Sequence, residues 1–414
     1  MAPTYKFLLS VKTMVQAFDL NLRHLRALSA VVAQGSLNRA SEIVGLSQPA
    51  LTQGLRKLER QLETQLFERR PDGVVPTDAG VALAERAGRA FECLAAAARR
   101  ASRGTRGFAR PEQLVTATQL HAFLRFADAQ SFAAAAAASG LSQPGIHRAV
   151  RDLEQIFAVP LAERRGRGVV LTTAGHAVAR GTRLAEREIT AGIAEAQGEE
   201  RDGGRIAIGA MPLSRALVLP HALAAFLRSS PRNVVDVVEG SWRELMDPLA
   251  DGIIDMTIGA LRDEAPPGLD QEPLFTDELA IYARAGHPLV GKHFTLDALG
   301  RQGWIVGPVG TPLRAHWEIL FAGRALPRVP IECGSVMVIR GLLAQSDLLT
   351  LLSLDQIALE VESGMLARVG PPLPGAVRTI GLTTRSGWRP TGAQRHLVEL
   401  IRSAARETRL QESR

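Results

Sequence analysis

The feature that most constrains this chain is an internal repeat. Residues 45–80 recur as residues 140–175, without a gap, with 18 of 36 positions identical at an offset of 95. Ser47-Gln48-Pro49 returns as Ser142-Gln143-Pro144, Leu58-Glu59 as Leu153-Glu154, and Glu68-Arg69-Arg70 as Glu163-Arg164-Arg165. Thr77 with Ala79-Gly80 returns as Thr172 with Ala174-Gly175. Self-similarity at a fixed offset means one supersecondary unit built twice.

Local chemistry says what the unit is. Leu22, Leu25, Leu28, Val31 and Val32 give a helical apolar stripe over 21–34. Ser36 can cap a helix over 37–44, and Gly45 can end it in the left-handed conformation. Ser47 then caps a second helix, 48–61, with Pro49 in its first turn, where a missing N–H is tolerated. Leu51, Leu55, Leu58 and Leu62 form one apolar stripe of this helix. Its other face carries Gln48, Thr52, Gln53, Arg56 and Lys57, side chains that hydrogen-bond base edges and phosphates. That spacing predicts a helix-turn-helix with its reading helix at 48–61. Asp72-Gly73 between two short runs predicts a hairpin wing carrying Arg69 and Arg70. A long Ala- and Arg-rich helix follows over 77–102, and its repeat over 173–197.

From Arg205 the period changes. Short β-type runs at 206–210, 234–238, 255–259 and 279–283 come first, with helices expected at 217–228 and 242–250. Further runs lie at 304–306, 329–332, 349–352 and 377–383, with helices at 313–322, 336–345 and 393–405. This alternation predicts a largely parallel α/β sheet, as one large sheet or two subdomains.

The 414 residues suit two to four domains. A net charge of +7 and a pI near 10.1 favour a polyanionic partner. Cys93 and Cys333 lie far apart with no metal-ligand spacing, which suits a reduced cytoplasmic setting. No run is long enough to span a bilayer, so no membrane partner is expected. Residues 1–20 read as a disordered leader, with Met14 as a second candidate start. No phosphate loop, zinc-protease motif or paired CxxC is present, and His287 in Gly-His-Pro-Leu reads as a turn residue. No enzyme activity, catalytic residue, cofactor or metal is expected.

The first unit resembles the N-terminal domain of LysR-type transcriptional regulators. The resemblance rests on Leu22-Arg23-His24-Leu25, Gly35-Ser36, Ser47-Gln48-Pro49-Ala50-Leu51, Leu58-Glu59, Leu66-Phe67-Glu68-Arg69 and Thr77-Asp78-Ala79-Gly80. The C-terminal part is similar to that family's effector-binding domain, of type 2 periplasmic-binding-protein form. It carries Ile206-Ala207-Ile208-Gly209, Leu249-Ala250-Asp251-Gly252, Glu272-Pro273-Leu274 and Gly286-His287-Pro288-Leu289. The fold class implied is multi-domain: two tandem all-α winged helix-turn-helix domains with long linker helices, then an α/β effector-binding domain of two Rossmann-like subdomains. The limits expected are 21–80 and 115–175 for the winged units, and 81–110 and 176–202 for the linkers. The effector domain takes 203–405, with one subdomain over 205–272 and 365–405 and the other over 273–364.

The function implied is a sequence-specific regulator that binds double-stranded DNA and answers to a small effector, sugar-related or an organic acid. Homodimers or homotetramers are expected, joined by the long helices. An architectural DNA-binding protein without effector and a solute-binding protein are the alternatives. DNA contacts are expected from Ser36, Arg39, Ser47, Gln48, Pro49, Thr52, Gln53, Arg56, Lys57, Arg69 and Arg70 in the first unit. In the second they come from Gln143, His147, Arg148, Arg151, Arg164 and Arg165. The chain departs from the family in having two winged units and Pro76 before the first linker. Lys57 becomes Asp152, Phe67 becomes Ala162, and Asn38-Arg39 becomes Ala133-Ala134. The first unit is therefore expected to read bases and the second to grip backbone or pack between chains. Effector contacts are expected at strand ends and helix starts: Met211, Ser214, Arg262, Gly310, Thr311, Ser335 and Ser353.

Overall fold

The computed structural model describes all residues except 1–14, 71–72, 104–106, 167, 199–203, 212–217, 372, 374 and 413–414. Two compact units divide between residues 200 and 201. In the first, Asn21 caps α1 (Leu22–Gln34), accepting the Arg23 amide. Ser36 caps α2 (Leu37–Val44), which Gly45 ends at φ 62°, a conformation glycine adopts without a Cβ clash. Ser47 caps α3 (Gln48–Leu62), and Leu51, Leu55, Leu58 and Leu62 are all buried. β1 (Phe67–Arg70) and β2 (Gly73–Pro76) pair antiparallel, from Phe67 opposite Pro76 to Arg70 opposite Gly73. Thr77 caps α4 (Asp78–Ala101). The order then recurs as α5 (Ala117–Ala129), α6 (Phe132–Ser139), α7 (Gln143–Phe157), β3 (Ala162–Arg165), β4 (Gly168–Leu171) and α8 (Thr173–Ala196).

The residues shared by the two copies hold each hairpin onto its helices. Glu59 Oε1 accepts the Leu66 and Phe67 amides at 2.9 and 3.2 Å. Glu154 does the same for Leu161 and Ala162 at the same distances. Thr77 Oγ1 donates to the Gln65 carbonyl at 2.8 Å, and Thr172 Oγ1 to that of Pro160 at 2.7 Å. A Cβ on Gly80 would lie 2.1 Å from the Leu66 carbonyl oxygen, and one on Gly175 2.0 Å from that of Leu161. The wing packs closely only because those positions are glycine.

Two sequence expectations are corrected in this unit. Within the leader, residues 17–19 form a 3₁₀ turn with Ala17 and Leu20 buried, so order begins before residue 21; residues 1–14, Met14 included, lie outside the described residues. The long helices were expected to join separate chains. Instead α4 and α8 pack on each other within one chain, inside an apolar core continuous through both copies. Arg86, 1% exposed, crosses this contact, with Nη1 donating to Glu188 Oε2 at 2.9 Å and Nε to Glu195 Oε1 at 3.0 Å.

The second unit opens with β5 (Arg205–Ala210), α9 (Val218–Ser229), β6 (Val234–Glu239), α10 (Trp242–Ala250) and β7 (Met256–Ala260). Then come β8 (Leu269–Arg284), α11 (Leu296–Gly300), β9 (Ile305–Val306), α12 (Pro312–Leu320), β10 (Ile331–Glu332), α13 (Val336–Ala344) and β11 (Thr350–Ser353). α14 (Ala358–Glu362), β12 (Leu366–Arg368), β13 (Val377–Arg385) and α15 (Gly392–Glu412) close it. β6, β5 and β7 are parallel neighbours, and β9 pairs parallel with β10. β13 runs antiparallel to β7 and β8, and β11 and β12 antiparallel to β8. The sheet is therefore mixed rather than largely parallel, a correction.

The cause is β8, far longer than the run expected at 279–283. Its first half is rich in Asp and Glu and holds Pro273 at a bulge, where the register to β13 shifts between Ile380 and Gly381. Proline and a bulge mask a strand in sequence. β8 passes through two lobes with separate apolar cores. Phe275 belongs to the core of β5, β7 and α15, whereas Leu279 and Ile281 belong to that of Trp304, Trp317 and Phe321. The lobes change over near residues 275–279 and 376–380, later than the 272 and 365 expected. β8 and β13 both extend past those points before the chain crosses.

The α4–α8 contact is tight where Gly181 meets α4: a Cβ there would lie 2.4 Å from the Ala97 Cβ and 2.9 Å from the Cys93 carbonyl oxygen. Gly88, also mid-helix, faces nothing within 4 Å. Gly181→Ala should therefore lower unfolding stability by about 1–3 kcal/mol through overpacking. Gly88→Ala should raise it by about 0.5–1 kcal/mol through helix propensity. Urea titration of the two variants checks the opposite signs.

Candidate nucleic-acid interface

α3 buries its leucines and turns Gln48, Pro49, Gln53, Arg56 and Lys57 to solvent, with Thr52 half-buried among them. Gln48, Pro49, Thr52, Gln53, Arg56 and Arg60 line one open concave surface, together with Glu59 and Glu63 toward the end of the helix. Ser47 and Ser36 act as caps, accepting the Ala50 amide at 3.4 Å and the Arg39 amide at 3.5 Å; Arg39 is exposed on α2. Amide and guanidinium groups exposed along one helix match base edges and phosphates. Behind α3 lies the His24 ring, in space that opens because residue 54 is glycine: a Cβ there would meet Cδ2 at 2.7 Å. Burial first, then the cations of Lys57 and Arg23, push the His24 imidazole below its ordinary pKa. These effects favour the uncharged ring, and the positive charge of this face comes from its lysine and arginines.

The second copy keeps the frame and changes the chemistry. α7 exposes Gln143, Arg148 and Arg151. His147 is half-buried and stacks on Phe132 at 3.6 Å between ring centres, and Phe132 on Phe126 at 4.3 Å. One ring face of His147 is thereby covered. Asp152, which replaces Lys57, accepts a hydrogen bond from Gln119 Nε2 at 3.2 Å. Gln119 stands where the first copy has His24, and Ala149 where it has Gly54. In the wings, Arg164 and Arg165 are exposed, and Arg70 is exposed with Glu68 at 3.5 Å. The side chain of Arg69 lies outside the described residues.

In the second unit the expected effector contacts fall into separate groups. Arg262 lies over the Trp242 ring at 5.1 Å, and its backbone is held by the Gln271 amide at 2.9 and 3.2 Å. Burial pushes its pKa down, opposed by Asp263 and reinforced by Arg243. Gly310 adopts φ 81°, and a Cβ on it would come within 3.9 Å of Arg243 Nη2, which places α10 of one lobe against the α12 turn of the other. Thr311 caps α12, accepting the Arg314 amide at 3.4 Å and donating to the Pro308 carbonyl at 2.7 Å. Arg262, Trp242, Arg243 and Gly310 thus form one neighbourhood between lobes. Met211 instead is buried, its side chain over Gly259. Ser335 heads α13 without a side-chain cap bond. Ser353 is buried with Oγ 3.4 Å from Arg378 Nη2. Ser214 lies outside the described residues.

Sequence reasoning missed Arg243, and it missed the buried pair Asp277–Arg378 where β8 and β13 meet. Arg378 Nε donates to Asp277 Oδ2 at 2.6 Å, between side chains each 3% exposed. The partners are 101 residues apart, so no local pattern announces them. Asp355 lies near this pair. Burial first, then the Asp277 carboxylate, push its pKa up to about 6, with Arg378 opposing. The folded-state pKa exceeds the ordinary value of 3.8, so the protonated form favours the fold. That stability is present below about pH 3.8 and is lost as pH rises to about 6. Asp355→Asn should flatten this part of the pH dependence, read as the difference in urea midpoint between wild type and variant across that window.

Comparison with known proteins follows the same division. The family described as "LysR substrate binding domain" matches residues 199–406. That described as "Bacterial regulatory helix-turn-helix protein, lysR family" matches residues 22–81 and again 117–176. The HTH-type transcriptional regulator GalR of Pseudomonas putida is 34% identical over 393 residues, 94% of this chain and 98% of that protein. The SDS degradation transcriptional activation protein of a Pseudomonas species is 30% identical over 274 residues, 65% and 90% of the two chains. Among solved structures, full-length OxyR from Pseudomonas aeruginosa shares the fold with a TM-score of 0.56 at 21% identity, over 70% of this chain and 94% of that one. ArgP from Mycobacterium tuberculosis does so with a TM-score of 0.56 at 18% identity, over 69% and 96%.

Proposed function

The chain belongs to the LysR family of bacterial DNA-binding transcriptional regulators, and from that premise we propose that α3 reads an operator while a small organic acid, held between the lobes of the second unit, tunes the binding. The family's two parts are a helix-turn-helix and a substrate-binding domain, and neither is catalytic. We read the first unit as two winged helix-turn-helix domains in tandem, near 21–80 and 115–175, with the effector domain over 203–405. Element order, hairpin register and the two stretches matched by one family description support the duplication.

The observation that carries the DNA reading is the exposed row Gln48, Gln53, Arg56 and Lys57, on a helix fixed from behind by four buried leucines. Arg243 and Arg262, close together between the lobes, favour a carboxylate-bearing effector over a neutral sugar, since a cation stabilises an anion. We place the protein in the cytoplasm with its DNA. Among the described residues no helix is long and apolar enough to cross a membrane. Association into a homodimer or homotetramer would use surfaces other than the joined faces of α4 and α8.

Fluorescence anisotropy on an operator from the gene's own upstream DNA tests this reading. Arg56→Ala should cost about 1–3 kcal/mol on the operator and little on random DNA. Lys57→Ala should weaken both alike and reduce the salt slope by about one. An unchanged operator Kd for Arg56→Ala would sink the base-reading role of α3.

A further inference from the structure

The contacts between the two copies are reciprocal. Phe18, in the turn before α1, sits 6.1 Å from the His121 ring of α5. Ninety-five residues after Phe18 stands Gln113, whose carbonyl accepts Arg26 Nη1 of α1 at 2.9 Å. Arg26 is the counterpart of His121 at the same offset. Likewise Gln197 Nε2 donates to the Leu62 carbonyl at 3.0 Å, and Ser102 Oγ to the Phe157 carbonyl at 2.9 Å. Ser102 is the counterpart of Gln197, and Phe157 of Leu62. On the helices, Arg86 packs over Gly192 while Gly181 packs over Ala97, again one contact and its exchanged copy. If residue i of one copy touches j of the other, and the equivalent of j touches the equivalent of i, the contact is isologous, the signature of a two-fold axis.

We propose that a single chain is an intramolecular counterpart of a two-fold dimer and reads both arms of one inverted-repeat DNA site, the arms differing in sequence. This rests on the reading of α3 as a groove-entering helix. A two-fold axis relating α3 to α7 presents them to a duplex in opposite orientations, as paired helix-turn-helix units require. Because the two copies are free to diverge, their faces have done so. Gln48 and Arg56 keep their equivalents Gln143 and Arg151, while Thr52, Gln53 and Lys57 become His147, Arg148 and Asp152. An inverted site of this kind has one shared and one distinct set of base preferences in its arms.

The ion cluster fixes which helices pair. Arg86 of α4 meets Glu188 and Glu195 of α8. At the exchanged position the equivalents are Gly181, Cys93 and Arg100, which make no such cluster. Pairing α4 with a second α4 would bring Arg86 against Cys93 and Arg100, and α8 with α8 would leave the two glutamates against Gly181. Both leave buried charge uncompensated, which disfavours the like pairs.

Selection of duplexes from a random library by the full-length chain tests the proposal, with native mass spectrometry of the selected complex. The expected result is a two-armed inverted motif with unlike arms and one chain for every pair of arms. Arg56→Ala should then lose about tenfold in preference at one arm only, and Arg151→Ala at the other. Both side chains are exposed, so the variants should keep the wild-type melting curve. A perfect palindrome holding two chains, a direct repeat, or both variants damaging the same arm would overturn it. A single enriched arm would overturn it while leaving the DNA-binding reading intact; no enriched sequence at all would remove both.

Discussion

Everything in the first unit depends on the pairing of α4 with α8. Each winged module is small, and the buried residues of both copies form one continuous cluster that takes in the two long helices. At its centre sits Arg86, taken almost wholly out of water and met by two carboxylates. Such a cluster, which Arg89 completes by donating to Glu188 at 3.1 Å, adds little net stability, because desolvating its charges offsets most of their attraction. Its effect is on choice of partner: only α4 against α8 satisfies it. The glycines at 181 and 192 supply the matching close approach, and together these fix where α3 and α7 stand.

The second unit is built differently, as two lobes with separate apolar cores joined by shared strands. β8 and β13 run through the boundary side by side, each contributing to a separate core. At their meeting point lies the Asp277–Arg378 pair with Ser353 and Asp355 around it. Burial and the neighbouring Asp277 carboxylate raise the Asp355 pKa there, with Arg378 opposing. The neighbourhood of Trp242, Arg243, Arg262 and Gly310 lies on the lobes' facing elements, α10 on one side and the start of α12 on the other.

The divergence of the two winged copies shows which residues the frame needs and which are free. Glu59, Thr77 and Gly80 have unchanged counterparts because each fastens the hairpin to the helices by hydrogen bonds or by contact closer than a side chain permits. Lys57 is exposed while its counterpart Asp152 is half-buried, and the change is absorbed locally: His24 with Gly54 in one copy, Gln119 with Ala149 and a bound Asp152 in the other. A swap that reads in sequence as a loss of DNA affinity is, in three dimensions, a carboxylate turned toward its own scaffold.

Much of this was legible from residue order. Caps, the glycine turn, the leucine stripe of α3, the hairpin and the duplication itself are short-range signals, encoded within a few residues and repeated at a fixed offset. The second unit's longer helices and most of its strands were visible for the same reason, whereas the short α11, α14 and β12 were not. What needed the folded chain were the long-range pairings. The length of β8 was hidden by Pro273 and its acidic neighbours, because its identity as a strand comes from β13 across the bulge. Asp277 and Arg378, or Phe18 and His121, are joined by topology alone. That α4 meets α8 of its own chain could not be read from either helix, since both carry the same amphipathic pattern. Local propensity determines elements; which apolar face covers which is settled only when the whole surface competes for burial.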